Sequence, residues 1–185
     1  MFYTKSYLRN LSESERIGNR TFSQTLNESK SLTHFDIFLS HSYRDKEYIK
    51  GLFIELASMG YTVYVDWIID PHLSRANVDK ETVSLIRRRM QQSKSLIYAT
   101  SENASVSKWM PWELGYMDGE THRCAILPIT DYEKSTFNGQ EFLSVYPYVT
   151  KESVSGLVKN NFSSNKILWI NENANNYMTM EKWFK

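Results

Sequence analysis

The sequence predicts an α/β sandwich with a mainly parallel central sheet. Two observations lead there. Short, almost continuously apolar runs (FDIFLS at 35–40, YTVYVD at 61–66, SLIYAT at 95–100 and CAILPI at 124–129) read as strands buried on both faces. Between them lie stretches of helical periodicity, and strand alternates with helix four or five times, the pattern of right-handed parallel crossovers. Residues 35–40 and 61–66 are therefore expected to be parallel neighbours, with 95–100 on the other side of the first strand.

Residues 1–32 read as an N-terminal arm or short helical extension, and 33–185 as the domain proper. In the arm, Tyr7, Leu8, Leu11 and Ile17 fall on one side of a short helix, and S-E-S-E at 12–15 offers a cap and an acidic first turn. The polar TFSQTLNESKS at 21–31 fits helix or loop. After the first strand, Tyr48, Ile49, Leu52, Phe53, Leu56 and Ala57 recur at helical spacing, and Gly60 supplies the stop.

Residues 67–78 form a long connection containing Pro71, and long loops at the carboxyl ends of parallel strands are more often functional than idle. Ile68, Ile69, Leu73 and Arg75 are expected there, free for contact with substrate or a neighbouring subunit. Residues 79–93 restore a helix, with Val83, Ile86 and Met90 on one face and Arg87, Arg88 and Arg89 turned mostly to water. Residues 107–118 suit a helix whose early turns are interrupted or opened by Pro111. Beyond 130, a short fifth strand is expected within 142–149, a helix over 153–162, and an edge strand or apolar tail segment at 166–170.

At 185 residues the chain has the length of one domain, large enough to hold a core without disulfides or metal. Twenty-two Lys and Arg against 21 Asp and Glu leave a net charge of +1, which gives no reason to expect a nucleic-acid partner. The single cysteine, Cys124, excludes an intramolecular disulfide. His34, His41, His72 and His122 show no metal-ligand spacing, so no metal site is expected. The first residues make a poor signal peptide and no run approaches 18 apolar residues, so no membrane partner is expected and the cytoplasm is the default location.

In sheets of this kind, ligands bind beyond the carboxyl ends of the strands, where strand order reverses, which nominates Ser40–Arg44, Asp66–Val78 and Thr100–Glu113. No G-x-G-x-x-G, G-K-[ST] or G-x-S-x-G motif accompanies them. Ser40 and Ser42 flank His41, but adjacency in sequence does not make a nucleophile–base pair. Ser40 is expected to bond to backbone and Ser42 to cap the next helix, whose free N–H groups can still face an anion. Glu113 is more informative. It follows Trp109 by one helical turn and adjoins Trp112. A carboxylate held against indole rings at a cleft can bind ribose hydroxyls and favour positive charge at an anomeric carbon; otherwise it is an ordinary solvated helix residue.

FDIFLSHS-x-R-D at 35–45 resembles the first conserved box of the Toll/interleukin-1 receptor (TIR) domain family, and G-Y-x-V-Y-V-D at 60–66 resembles its second-strand segment. SKWMPWE at 107–113 is similar to the W-x-x-x-E element of TIR domains that cleave NAD, although Pro111 departs from the usual pattern. The matches occur in family order and are clearest over 34–130.

The resemblance implies a flavodoxin-like three-layer sandwich and a set of roles. Glu113 falls on the family's catalytic glutamate, with Trp109 positioning it. Ser40, His41, Ser42 and Arg44 would border the nicotinamide ribose. Asp66, Trp67 and the rest of the loop through 78 would form the mobile gate that also serves self-assembly, with Arg75 offering a fork of donors to pyrophosphate. NAD is then the substrate, with no further cofactor required.

A small TIR protein of this kind is similar to bacterial anti-phage proteins that process NAD. That likeness implies an NAD glycohydrolase or cyclase making an ADP-ribose-type signal, linear or cyclic, for a separate effector. Two other readings stand beside it: a non-enzymatic interaction module using the same loops as docking surface, and a nucleoside transferase sharing the crevice and the carboxylate.

Overall fold

Apolar, β-branched runs form the sheet where they were expected. The computed structural model describes residues 1–14, 16–17, 20–73, 79–134, 141–153 and 166–185. β1 (Tyr3–Thr4), α1 (Lys5–Ser12), β2 (Arg16–Ile17), β3 (Arg20–Thr21) and α2 (Phe22–Ser31) precede the first long strand, β4 (Phe35–Ser40). There follow α3 (Lys46–Ser58), β5 (Val63–Tyr64), α4 (Asp66–Ile69), α5 (Lys80–Gln91), β6 (Ser93–Thr100), α6 (Trp109–Thr121) and β7 (Cys124–Thr130). β8 (Tyr148–Ser153), β9 (Lys166–Asn173), β10 (Asn176–Thr179) and α7 (Met180–Trp183) complete the described elements.

The sheet runs β5-β4-β6-β7-β8-β9-β10. β4 pairs in parallel with β5 (Ile37 opposite Val63) and, on its other side, with β6 (Phe38 opposite Leu96), as the apolar runs predict. β7 and β8 extend the parallel part, and β9 and β10 add antiparallel. The crossover from β4 to β5 runs one way along the sheet and those from β5 to β6 and β6 to β7 run the other, so right-handedness puts α3 on one face and α5 with α6 on the other. The core is continuous through the sheet: Ile37, Phe38, Leu96, Ile97, Ala125 and Ile126 are all buried.

Several expectations need correction. The second strand is only Val63–Tyr64, because Asp66 already opens the short helix α4. Ile68 and Ile69 turn into the core, so they are not surface for a partner. Pro111 lies in the first turn of α6, where its missing N–H leaves no helical bond unmade, and the helix is not interrupted. The strand expected within 142–149 starts at Tyr148, after a 3-10 turn at Glu141–Val145. β9 is interior to the sheet, covered by β10. The helix expected over 153–162 falls outside the described residues, apart from Ser153 at the end of β8.

Within 1–32, the cap expected at Ser12 lies at the end of α1, with Glu13 as the C-cap, not at a start; Thr4 caps that helix. Thr21 and Gln24 form a capping box that opens α2. β1 adds in parallel to the end of β7, Tyr3 opposite Ile129. Leu8 is buried against α3, where α1 approaches so closely that a Cβ on Gly51 would lie 2.0 Å from the Leu8 carbonyl oxygen.

Candidate active site

Because the crossovers after β4 and β6 diverge, the loops at their carboxyl ends part and leave a crevice. A cleft of about 1170 Å³ occupies it. His41, Ser42, Tyr43 and Arg44 come from the loop after β4, and Pro71, His72 and Leu73 from the chain after α4. Val83 and Arg87 of α5 form another side, and Val106, Ser107, Lys108, Trp109 and Trp112 close it at the start of α6. Among the described lining residues the permanently charged side chains, Arg44, Arg87 and Lys108, are all basic. Such a rim draws in phosphate-bearing anions. Trp109 and Trp112 meet edge to face, centroids 5.7 Å apart, and give the cleft an aromatic wall.

Glu113 stands directly behind that wall, fully buried. Ser40, the last residue of β4, is buried as well, and its hydroxyl donates to Glu113 Oε2 at 2.6 Å. At that distance the contact is a well-formed O–H···O hydrogen bond. The charge is felt on β6, where burial first and Glu113 second push the Tyr98 hydroxyl above its ordinary range. Helical spacing puts Trp109 in the cleft and Glu113 one turn behind it, as the W-x-x-x-E pattern predicts.

Buried polar links fix the loops around this carboxylate. His41 Nδ1 lies 2.8 Å from the Leu39 carbonyl oxygen, and Trp67 Nε1–H donates to His41 Nε2 at 3.1 Å. A carbonyl only accepts, so Nδ1 carries the proton and Nε2 the lone pair. Asp66 Oδ1 lies 3.5 Å from the same Nε2. Asp45, buried, accepts from Ser101 Oγ (2.5 Å) and Asn103 Nδ2 (2.6 Å), tying the loop after β4 to the loop after β6. Cys124 is no nucleophile: burial pushes its thiol up to about 12. Among the described residues no cluster of His, Cys, Asp or Glu could hold a metal ion.

Comparison with known proteins decides the family. A family profile described as "Thoeris protein ThsB, TIR-like domain" matches residues 38–130, from β4 to the end of β7. The chain belongs to this TIR-like family. It is 45% identical over 153 residues, 82% of this chain and 76% of the relative, to a Bacillus cereus (strain MSX-D12) protein named "Probable 3' cyclic ADP-D-ribose synthase ThsB'". It is also 30% identical over 131 residues to a Cytobacillus dafuensis protein named "Putative cyclic ADP-D-ribose synthase TIR2". That match covers 68% of this chain and a third (33%) of the relative's length.

In this TIR-like domain, His41, Ser42, Arg44 and Trp109 all line the cleft. Ser40 does not line it; it bonds to Glu113 instead of to backbone, because the end of β4 points under α6. Ser42 makes no side-chain cap. Trp67 acts behind the lining, donating to His41, and Asp66 is buried beside that contact. Arg75 lies outside the described residues.

Tyr43, His72, Lys108 and Trp112 line the cleft from within the three nominated segments without having been singled out there, and Val83 and Arg87 of α5 line it from outside them. One signal was present for Arg87. Val83 and Arg87 are four apart and share a helix face, and that face borders the cleft, while Ile86 and Met90 supply the core. Arg89 does not face water either: it grips Asp70.

Proposed function

We propose that this protein cleaves the nicotinamide–ribose bond of NAD and closes the remaining ADP-ribose into a cyclic nucleotide, with Glu113 as its catalytic carboxylate. The observation that carries this reading is a buried carboxylate directly behind a cleft with an aromatic wall and a basic rim. The rim suits a pyrophosphate and the wall suits flat rings. In the reaction the C–N bond breaks, its electron pair leaves with the pyridine nitrogen, and neutral nicotinamide departs. Positive charge remains on the ribose. A carboxylate fixed in a water-poor site stabilises that charge far better than one in water. The substrate carries its own leaving group, so no metal or second cofactor has a step to perform.

A hydroxyl of the same molecule then attacks the anomeric carbon and gives up its proton, forming the cyclic product; water in its place gives ADP-ribose. Solvent exclusion around Glu113 and the tether favour the internal hydroxyl. The names of the two relatives support the same outcome. Glu113 is covered in this arrangement, so turnover includes an opening beside Trp109 and Leu73 that admits the ribose.

His41, Ser42, Arg44 and Trp109 contact the dinucleotide in this reading, Trp67 holds His41 with Asp66 beside it, and Arg75 supplies a fork to the pyrophosphate. The setting we propose is anti-phage signalling in the cytoplasm. The product is read by a separate effector, and self-association switches the activity on.

The test is incubation of concentrated, purified protein with NAD and chromatographic resolution of the products. Nicotinamide and a nucleotide lighter than ADP-ribose by one water are expected, and Glu113→Gln lowers the rate by about 10²-fold or more. A folded Glu113→Gln protein with the full rate rejects the mechanism. No turnover at any concentration, with or without extract from infected cells, leaves the interaction-module reading in its place.

A further inference from the structure

We propose that Ser40 is the positioning residue of Glu113: it touches no substrate and acts on the reaction only through the carboxylate it holds. The inference rests on the catalytic reading of Glu113 given above. Three observations carry it. Ser40 is wholly buried and absent from the cleft lining, although His41 and Ser42, its next neighbours, are both on it. Its hydroxyl reaches Glu113 Oε2 at 2.6 Å, across 73 residues of sequence. Its backbone is locked in the sheet, between the strand ladder to β6 (Ser40 opposite Tyr98) and the loop that Asp45 ties to Ser101 and Asn103.

The physical consequence follows from what a glutamate lacks. Its side chain has three rotatable bonds, and a helix restrains the first more than the last. A donor on β4, an element separate from α6, fixes the orientation of the carboxyl plane. Ser40 thus sets where the negative charge stands before any substrate arrives, and its loss should disturb the chemical step and leave binding alone.

The experiment compares Ser40→Ala and Ser40→Cys in the wild-type and Glu113→Gln backgrounds, with folding checked by thermal denaturation. In the wild-type background Ser40→Ala is expected to lower kcat by about 10–100-fold, the scale seen when a supporting partner of a reactive group is removed. KM stays within about two-fold, since uniform binding is untouched. Ser40→Cys, close in volume but a weak donor, falls between Ala and Ser. In the Glu113→Gln background the same Ser40→Ala change alters the residual rate by less than about two-fold, because residues that act as a unit are not additive.

A raised KM at unchanged kcat would make Ser40 a substrate contact and overturn the proposal. So would an equal loss of rate in both backgrounds, which means the hydroxyl acts independently of Glu113. So would a Ser40→Ala enzyme with the full kcat. Should Ser40→Ala fail to fold, Ser40→Cys carries the same comparison. The underlying reading fails separately: if Glu113→Gln alone keeps the wild-type rate, the carboxylate is not catalytic whatever the Ser40 variants do.

Discussion

Arg89 grips Asp70 through two parallel hydrogen bonds, Nε to Oδ2 at 2.9 Å and Nη2 to Oδ1 at 2.8 Å. Tyr64 donates to the same carboxylate, its hydroxyl 3.0 Å from Oδ2. Asp70 is the residue at which α4 ends and the chain turns toward the cleft-lining Pro71, His72 and Leu73. A helix, a strand and the entrance loop therefore meet on one buried carboxylate, and the hydrogen bonds Arg89 donates to Asp70 hold its guanidinium above its ordinary range.

Removing Asp70 leaves a partly buried guanidinium and a buried hydroxyl without their acceptor. Asp70→Ala is expected to cost about 3 kcal/mol, the lower end for breaking a buried pair, since the Arg89 side chain keeps some contact with water. Urea denaturation measures it. Arg89→Lys, which keeps the charge but not the planar fork, should recover less than half of that loss relative to Arg89→Ala. Equal stability of the Lys variant and wild type would show that the fork contributes nothing.

Gly51 lies inside α3, where replacement by Ala ordinarily stabilises a helix by up to about 1 kcal/mol. Here the sign reverses. A Cβ would stand 2.0 Å from the Leu8 carbonyl oxygen, a backbone atom that cannot swing aside. Gly51→Ala must push α1 off α3 and should destabilise by about 1–3 kcal/mol, the cost of overpacking. Thermal denaturation and loss of hydrogen-exchange protection in α1 report it.

Lys108 and Arg87 face the cleft from two different elements, α5 and the approach to α6. If they meet the phosphates of NAD in ground and transition states alike, Lys108→Ala and Arg87→Ala each raise KM for NAD several-fold at unchanged kcat. A fall in kcat at constant KM would place them at the reacting centre instead. The binding step should also weaken with added salt, because the cleft is open enough for ions to screen it.

Lys151 lies over the faces of Tyr7 and Tyr3, its Nζ 3.2 and 4.4 Å from the ring centroids. Burial lowers its ammonium from the ordinary 10.5 to about 8; Glu55 and Glu133 oppose the change and Lys166 adds to it. Between pH 8 and 10.5 the unfolded chain binds a proton there that the folded chain does not, so folding stability rises with pH across that window. The burden of holding the charged form is present in full below about pH 8. Lys151→Met removes it, and its stability advantage over wild type should shrink as pH rises from 8 to 10.5. A difference that stays constant with pH contradicts the lowered value.

Activity should depend on concentration if self-association opens the site. Specific activity of the wild type is expected to rise faster than linearly with protein concentration, in step with sedimentation of the same samples. Ile69 is a poor probe of this, since it is part of the core, whereas Tyr43, 61% exposed at the cleft mouth, can be changed without unfolding the domain. A monomer with constant specific activity at every concentration removes self-association from the mechanism.

Local order along the chain determined the parallel part of the sheet by itself. Residues such as Ile37, Phe38, Leu96, Ile97 and Ile126 need cover on both faces, and helices of matching length between them allow only right-handed crossovers. The pairing of Trp109 with Glu113 was legible for the same reason, since a helix repeats every 3.6 residues wherever it sits. The resemblance to TIR domains rested on those same segments.

Only tertiary structure decided what each loop residue does. Nothing local distinguishes Ser40 from Ser42; one points under α6 to Glu113 and the other onto the cleft, because the sheet fixes the end of β4 beneath a helix 69 positions later in the chain. Ile68 and Ile69 looked like loop surface because YTVYVD was read as strand to its end, whereas α4 begins at Asp66 and turns both side chains inward. Arg87, Arg88 and Arg89 are identical in sequence terms. Their fates diverge because Asp70 and the cleft, both set by distant segments, stand on different sides of α5, and burial and pairing are properties of that assembled neighbourhood.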